Sequence, residues 1–269
     1  MPGEPFLREL HVYPLKSAAG IPRERAGLDA LGLAHDRRWM AVGADGTFLS
    51  QRTVPRLALV ETVIEEGRLV LSAPGEGSVS IPLEPIGEGA VEATVWEDEV
   101  AAVPAGGEAD RWLSDHLGFG ARIVGLPASG SRAAGSHAPA ARIGFADAYP
   151  LLLISEASLA ALNERLAEPV PMDRFRPNLV VAACEPFEED SWARFRIGEV
   201  ELSSAGPCAR CSTTTVDQAT GEKGREPLRT LAGFRREGSK VLFGMNVAHE
   251  GAGELVAGAL VEILEESRP

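Results

Sequence analysis

Most of the first hundred residues of this 269-residue chain break into short β-type runs separated by turn residues, a pattern that leaves few folds open. Residues 6–13 alternate loosely between apolar and polar. Arg38-Trp39-Met40-Ala41-Val42 is followed by Gly43-Ala44-Asp45-Gly46 and then Thr47-Phe48-Leu49. Asp-Gly between two such runs predicts a hairpin, because both residues tolerate the left-handed backbone of a tight turn. Further runs follow over 58–64, 68–72, 79–83 and 93–103. Strands this short and this evenly spaced predict a barrel or sandwich.

The pattern changes after Pro104. Trp112, Leu113 and Leu117 fall at helical spacing over 109–117, with Gly118 as a stop. Residues 125–141 are small, Ser-rich and Pro-bearing, and read as a mobile loop or lid. Ser155 is placed to cap a helix running to Leu166, with Leu159, Leu162 and Leu166 as its stripe. Strands are predicted over 178–183, 197–203, 213–217, 241–247 and 255–264, with a short helix over 228–235. The fold class expected is α+β, mainly β, divided into residues 1–104 and 105–269.

Composition narrows the functional classes. With 45% hydrophobic and 24% charged residues the chain is expected to be globular rather than disordered. No apolar run approaches the roughly 20 residues of a membrane span; the strongest covers only 149–154. Met1-Pro2-Gly3-Glu4 lacks the layout of a signal peptide, so a cytoplasmic protein is expected. The net charge of −13 disfavours nucleic acid as a partner. Lysine is scarce: three (Lys16, Lys223, Lys240) among 26 basic residues, which makes each one worth a question. Cys184, Cys208 and Cys211 are too few for the four thiolates of a plant-type iron–sulfur cluster. Redox chemistry here would draw its electrons from another polypeptide.

The most informative stretch is Gly206-Pro207-Cys208-Ala209-Arg210-Cys211-Ser212-Thr213-Thr214-Thr215-Val216-Asp217. A Cys-x-x-Cys pair can open a thioredoxin-like helix, form half of a zinc knuckle, or present a thiolate at a strand edge to a soft metal or to sulfur. The hydroxyl residues and Val that follow favour strand over helix, and no second ligand pair is visible. Arg210 beside the thiols would favour their ionised form.

These residues resemble the MOSC-domain proteins that carry an N-terminal MOSC β-barrel domain, the group that includes the mitochondrial amidoxime-reducing component. The resemblance covers nearly the whole chain. Its N-terminal part is carried by Tyr13-Pro14-Leu15-Lys16-Ser17, His35-Asp36-Arg37-Arg38-Trp39, and Gln51-Arg52 with Pro55-Arg56-Leu57. Its C-terminal part is carried by Ser155-Glu156-Ala157-Ser158-Leu159, Phe175-Arg176-Pro177-Asn178, Cys208-Ala209-Arg210-Cys211 and Glu226-Pro227-Leu228. It implies a β-barrel-like MOSC core, an N-terminal β-barrel domain and a few flanking helices.

The resemblance also implies a molybdenum cofactor, a pterin dithiolene with a terminal phosphate, whose metal is ligated by the second cysteine, Cys211. Lys16, Ser17 and Arg37 would hold the phosphate, with Lys16 expected at a pocket rim. Arg176 and Asn178 would contact the cofactor. Asp147 would lie near pterin and metal, bonding the pterin or assisting protonation. Cys208 is expected to be a packed or redox-silent thiol. After Asp147 the family carries small hydroxyl residues, where this chain has Ala148 and Tyr149. The activity implied is reduction of small N-hydroxylated compounds by oxygen-atom removal at the Cys-ligated molybdenum, with a separate ferredoxin- or cytochrome-like donor. The alternative is a carrier of the cofactor, or of sulfur on Cys211, without turnover.

Overall fold

The computed structural model describes residues 3–87, 89 and 91–267. Met1 and Pro2, on which the signal-peptide expectation partly rests, lie outside that set. The chain is mainly β with α+β character, as the sequence predicts. Its largest unit is a nine-stranded sheet in the order Ile21–Arg23, Phe6–Val12, Leu179–Ala182, Leu151–Ser155, Lys240–His249, Val200–Ala209, Trp192–Ile197 and Val261–Glu266, with Arg236–Glu237 paired to Lys240–His249. Neighbours run antiparallel except Leu151–Ser155 and Leu179–Ala182, which are parallel. Among the described residues each sheet is an open path and none closes into a ring.

The N-terminal half builds a four-stranded sheet from Trp39–Gly43, Ala121–Gly125, Asp98–Pro104 and Val91–Val95, and a meander of Glu61–Glu65, Arg68–Ala73 and Gly77–Pro82. The middle strand of the meander shows why it forms. Leu69, Leu71 and Ala73 alternate inward while Arg68 faces water, as one-sided burial demands. The Asp-Gly turn is present. Gly46 has φ +81°, and Leu49 N–H donates to the Ala41 carbonyl across it at 2.8 Å.

Packing divides the chain elsewhere than the composition shift at Pro104. The helix Gly107–Leu117 ends on a left-handed Gly118 and buries Trp112 and Leu113 with Leu57, Leu69 and Ile81. Each such side chain is worth about 1.5–3 kcal/mol of burial. The next strand, Ala121–Gly125, pairs with Trp39–Gly43. The N-terminal unit therefore reaches past residue 120. Conversely, Phe6–Val12 belongs to the large sheet, paired with Leu179–Ala182. Its Leu7, Leu10 and Val12 share a core with Trp192, Phe195 and Val247.

Three C-terminal expectations need correction. A strand over 197–203 runs across a turn at Gly198, φ +58°, where Trp192–Ile197 ends before Val200–Ala209 begins. A strand over 255–264 is likewise two, Gly253–Val256 and Val261–Glu266. The third, 213–217, is a short 3₁₀ turn, Ser212–Thr215. Thr214 and Thr215 hydroxyls donate to the carbonyls of Cys211 and Ser212, at 3.0 and 2.8 Å, giving the backbone an alternative to a ladder. Among the described residues no helix is long and apolar enough to cross a membrane.

Candidate functional site

Lys16, Ser17, Arg37, Asp147, Arg176, Asn178 and Cys211 all line one cavity of about 680 Å³, within the usual range of small-molecule sites. The backbone explains how residues so distant in sequence meet. After the strand Phe6–Val12, the segment 13–17 is tied to 36–39. Tyr13 N–H donates to Asp36 Oδ1 (2.8 Å), Arg37 N–H to the Tyr13 carbonyl (2.8 Å) and Lys16 N–H to the Trp39 carbonyl (2.8 Å). Phe145 N–H then donates to the Arg37 carbonyl at 2.9 Å, which brings Asp147 alongside.

Lys16 is not at a rim. It is 6% exposed, and its Nζ donates to the Phe145 carbonyl at 2.7 Å and to the Asp147 carboxylate. Burial pushes its pKa down, against the pull of Asp147. Asp147 reaches into the cavity with 65% of its side chain accessible, and Trp96 Nε1–H donates to it at 3.2 Å. The protein around it pushes the carboxyl up. The ammonium of Lys16 and the Trp96 bond outweigh this and hold it at about 2.

Arg37 and Arg176 lie against one phenol, their guanidinium carbons 4.5 and 4.4 Å from the Tyr13 ring centroid. Burial raises the Tyr13 pKa to about 12, and its hydroxyl donates to the Pro177 carbonyl at 3.0 Å. Arg37 pairs with Asp36 at 2.5 Å. Among the described residues Arg176 has no such partner. Its Nη2 is buried without a hydrogen bond among the described residues, and burial lowers its pKa to about 10. Three of these residues are also held in the left-handed region, Ser17 at φ 71°, Arg37 at 48° and Arg176 at 57°. Such backbone costs about 1–3 kcal/mol per residue and tends to gather at functional sites.

Asn178 is a brace. Its Oδ1 accepts from Arg37 Nη1 (3.1 Å) and Leu152 N–H (3.3 Å), while its Nδ2 donates to the His11 carbonyl (3.1 Å) and Asp36 Oδ1 (3.2 Å). It borders the cavity with its amide already engaged. Its geometry is that of a clamp between the two halves.

At the other side, Val200–Ala209 loses register against Lys240–His249 around Pro207, with Gly206 at φ +90°. Bulges of this kind re-aim side chains next to sites. Cys208 is the last residue but one of the strand, and Cys211 is the N-cap that immediately precedes the 3₁₀ turn. Cys211 is exposed, its Sγ donating to Thr213 Oγ1 at 3.4 Å. The Arg210 guanidinium engages Cys208, with Nη1 at 3.0 Å from its Sγ, and donates to the Phe175 carbonyl at 2.8 Å. Cys184 lies in the core away from the cavity, and burial pushes its thiol up to about 12.

The segment read as a mobile lid is pinned. Arg132 Nη1 donates to the Ala146 carbonyl at 2.8 Å and its Nε to Asp98 at 2.7 Å. Gly135 N–H donates to the Ala148 carbonyl at 2.8 Å. A Cβ on Gly135 would stand 2.5 Å from the Tyr149 hydroxyl. Sequence reasoning gave no site role to Tyr13, Trp96 or Asn246. Trp96, exposed and at φ 58°, stacks on Arg52 at 4.0 Å; it stands at the turn between Val91–Val95 and Asp98–Pro104, inside the stretch 93–103 that reads as one run in the sequence, so nothing there signals it.

The donor set suits a cofactor that brings its own ligands. Among the described residues no three His, Cys, Asp or Glu gather into a metal nest. A metal at Cys211 would therefore carry its other ligands with it, as a dithiolene does. Lys16, Arg37, Arg52 and Arg176 line the same cavity, and the unpartnered Nη2 of Arg176 is a donor waiting for an acceptor.

The cavity is lined by cations from both β-rich halves and by Cys208 and Cys211. The MOSC N-terminal beta barrel domain matches residues 5–119 and the MOSC domain residues 140–262. The chain belongs to this family, together with the mitochondrial amidoxime-reducing components. Mitochondrial amidoxime reducing component 2 of Rattus norvegicus is 35% identical, the alignment covering 92% of this chain and 80% of that protein. Mitochondrial amidoxime-reducing component 1 of Homo sapiens is 33% identical over 95% of this chain and 82% of its own length. Molybdenum cofactor sulfurase of Oryza sativa subsp. japonica is 32% identical over 98% of this chain, which corresponds to 35% of that protein.

Proposed function

We propose that this protein is a molybdenum-cofactor-dependent oxidoreductase that reduces small N-hydroxylated compounds. The observation that carries the reading is the convergence of Lys16, Arg37, Arg176, Asp147 and Cys211 on one cavity. When bound, the cofactor supplies two-electron oxygen-atom transfer at its metal.

The chain's own residues do the rest. Lys16, Ser17 and Arg37 hold the terminal phosphate with a point charge, a hydroxyl and a forked guanidinium. Arg176 offers its free Nη2 to the pterin. Cys211 anchors the metal through its thiolate, a soft donor for a soft site. Asp147, held at about 2, is ionised at neutral pH and serves as a hydrogen-bond acceptor for the pterin rather than as the acid. A separate carrier protein delivers the electrons.

The second reading, a cofactor or sulfur carrier, is favoured by the rice sulfurase alignment, which spans nearly all of this chain. Turnover separates the two. The test is anaerobic purification, molybdenum analysis and reduction of an aromatic amidoxime by an artificial donor. The reductase reading expects molybdenum and turnover in the parent and loss of both in Cys211→Ala. Molybdenum without turnover selects the carrier, and equal molybdenum in parent and variant removes Cys211 as the anchor.

A further inference from the structure

Residues 222–240 depart from the acidity of the chain. Lys223, Arg225, Arg229, Arg235, Arg236 and Lys240 stand there against Glu222, Glu226 and Glu237, in a protein of net charge −13. Two of the three lysines are in this stretch. Arg235 is paired with Asp190 at 2.5 Å. The other five basic residues are exposed, and none forms an ion pair among the described residues. Phe234 sits among them, 37% exposed, with the Arg165 guanidinium 4.7 Å from its ring centroid. An exposed aromatic within a stretch of exposed cations, with a further guanidinium on its ring, has the composition of an interface centre with a charged rim.

Its position gives this surface a purpose. Val216 bridges to Lys223, Gly224 N–H donates to the Thr215 carbonyl at 2.9 Å, and Arg210 N–H donates to the Val241 carbonyl at 2.7 Å. The basic stretch thus packs directly behind the turn that carries Cys211. Glu237 and Lys240, both exposed, line the same cavity as Cys211.

We propose that this face docks a small acidic electron-carrier protein, seating its redox centre against the Cys211 turn. The inference rests on the reductase reading above. Converting N–OH to N–H and water consumes two electrons and two protons, so a one-electron carrier docks twice per turnover and leaves oxidised each time. An acidic carrier is repelled by the molecule as a whole, and a local positive face both admits and orients it. An anionic membrane fits the same cations less well, because an extended negative plane meets the rest of the acidic surface too.

The test uses the full-length cofactor-loaded protein and an acidic plant-type [2Fe–2S] ferredoxin as probe. Binding is followed by calorimetry at low salt for the parent, for Arg225→Glu/Arg229→Glu/Arg236→Glu, and for a control trio, Arg23→Glu/Arg25→Glu/Arg111→Glu. The expected result is binding that weakens about tenfold or more in the first triple variant and no more than about threefold in the control. Amidoxime reduction by reduced methyl viologen should stay within about twofold of the parent in the first variant, since that donor needs no docking face. Equal ferredoxin binding by parent and variant overturns the proposal. So does a parent that ignores ferredoxin but binds phosphatidylglycerol vesicles, or one that binds neither. A parent that binds ferredoxin through this face yet reduces no amidoxime with either donor overturns the reductase reading and leaves the docking face standing.

Discussion

Lys16 and Asp147 form an ion pair across the two halves of the chain in which the cation is buried and the anion is open, with side chains 7% and 65% accessible. The same ammonium is the donor assigned to the cofactor phosphate. If the cofactor phosphate takes that ammonium as proposed, it competes with Asp147 for Lys16 and would free the carboxylate for the pterin.

Lys16→Ala is predicted to lower cofactor retention by tenfold or more and also to lower the melting temperature. The second effect arises because Lys16 also satisfies the Phe145 carbonyl. Leaving a buried acceptor unpaired costs about 1–3 kcal/mol. Molybdenum content per chain and thermal unfolding of the cofactor-free protein check the two effects separately. Full cofactor content with a reduced melting temperature would make Lys16 structural only.

Acid should weaken the fold through Asp147. Its carboxyl sits at about 2, below the ordinary 3.8, so the folded state favours the ionised form. That stabilisation is complete above about pH 4 and disappears as the pH falls toward 2. Because the carboxylate is largely accessible, it amounts to no more than about 1 kcal/mol. Unfolding of the parent and Asp147→Asn, compared near pH 7 and near pH 2.5, should show a gap that closes in acid. A gap independent of pH refutes the assignment. Lys16 acts in the opposite range: with its folded pKa below 10.5, stability from this group rises as the pH climbs toward 10.5.

Arg176→Met should separate stability from function. The buried, incompletely bonded guanidinium is a burden on the cofactor-free fold, offset in part by its contact with Tyr13. Replacing it with an apolar chain of similar length is predicted to leave the cofactor-free melting temperature unchanged or raise it, by up to about 1–2 kcal/mol of stability. Cofactor retention should fall at least tenfold. A large drop in melting temperature with cofactor retained would make Arg176 a structural pairing residue.

Gly135→Ala is predicted to cost about 1–3 kcal/mol, because the new Cβ meets the Tyr149 hydroxyl at 2.5 Å. In a Tyr149→Ala background the same substitution should be nearly neutral. A double-mutant cycle on chemical unfolding reads the coupling, and additive costs would show that the two residues do not press on one another.

The local pattern was legible where local chemistry decides the outcome. Asp45-Gly46 made its turn, and Ser155 caps Glu156–Asn163 by accepting from Ser158 N–H at 3.0 Å. Thr213, Thr214 and Thr215 misled, since β-branching favours strand whereas their hydroxyls can bond nearby carbonyls. The candidate site was named residue by residue from a resemblance, and the sequence alone could not have assembled it. Its walls depend on pairings such as Leu10 with Leu179 and on the cross-chain clamp of Asn178, which no local pattern encodes. Trp96 and Tyr13 were missed for the same reason, being aromatic residues whose purpose is set by distant cations.

The first strand, Phe6–Val12, has a partner near the far end of the chain as well: Leu7 N–H donates to the Ala259 carbonyl and Val261 N–H to that of Pro5, both at 2.8 Å. A nascent polypeptide therefore cannot complete this seam until residues 259–261 have been translated. Cutting the chain between its halves would leave each fragment with a raw sheet border, prone to aggregate.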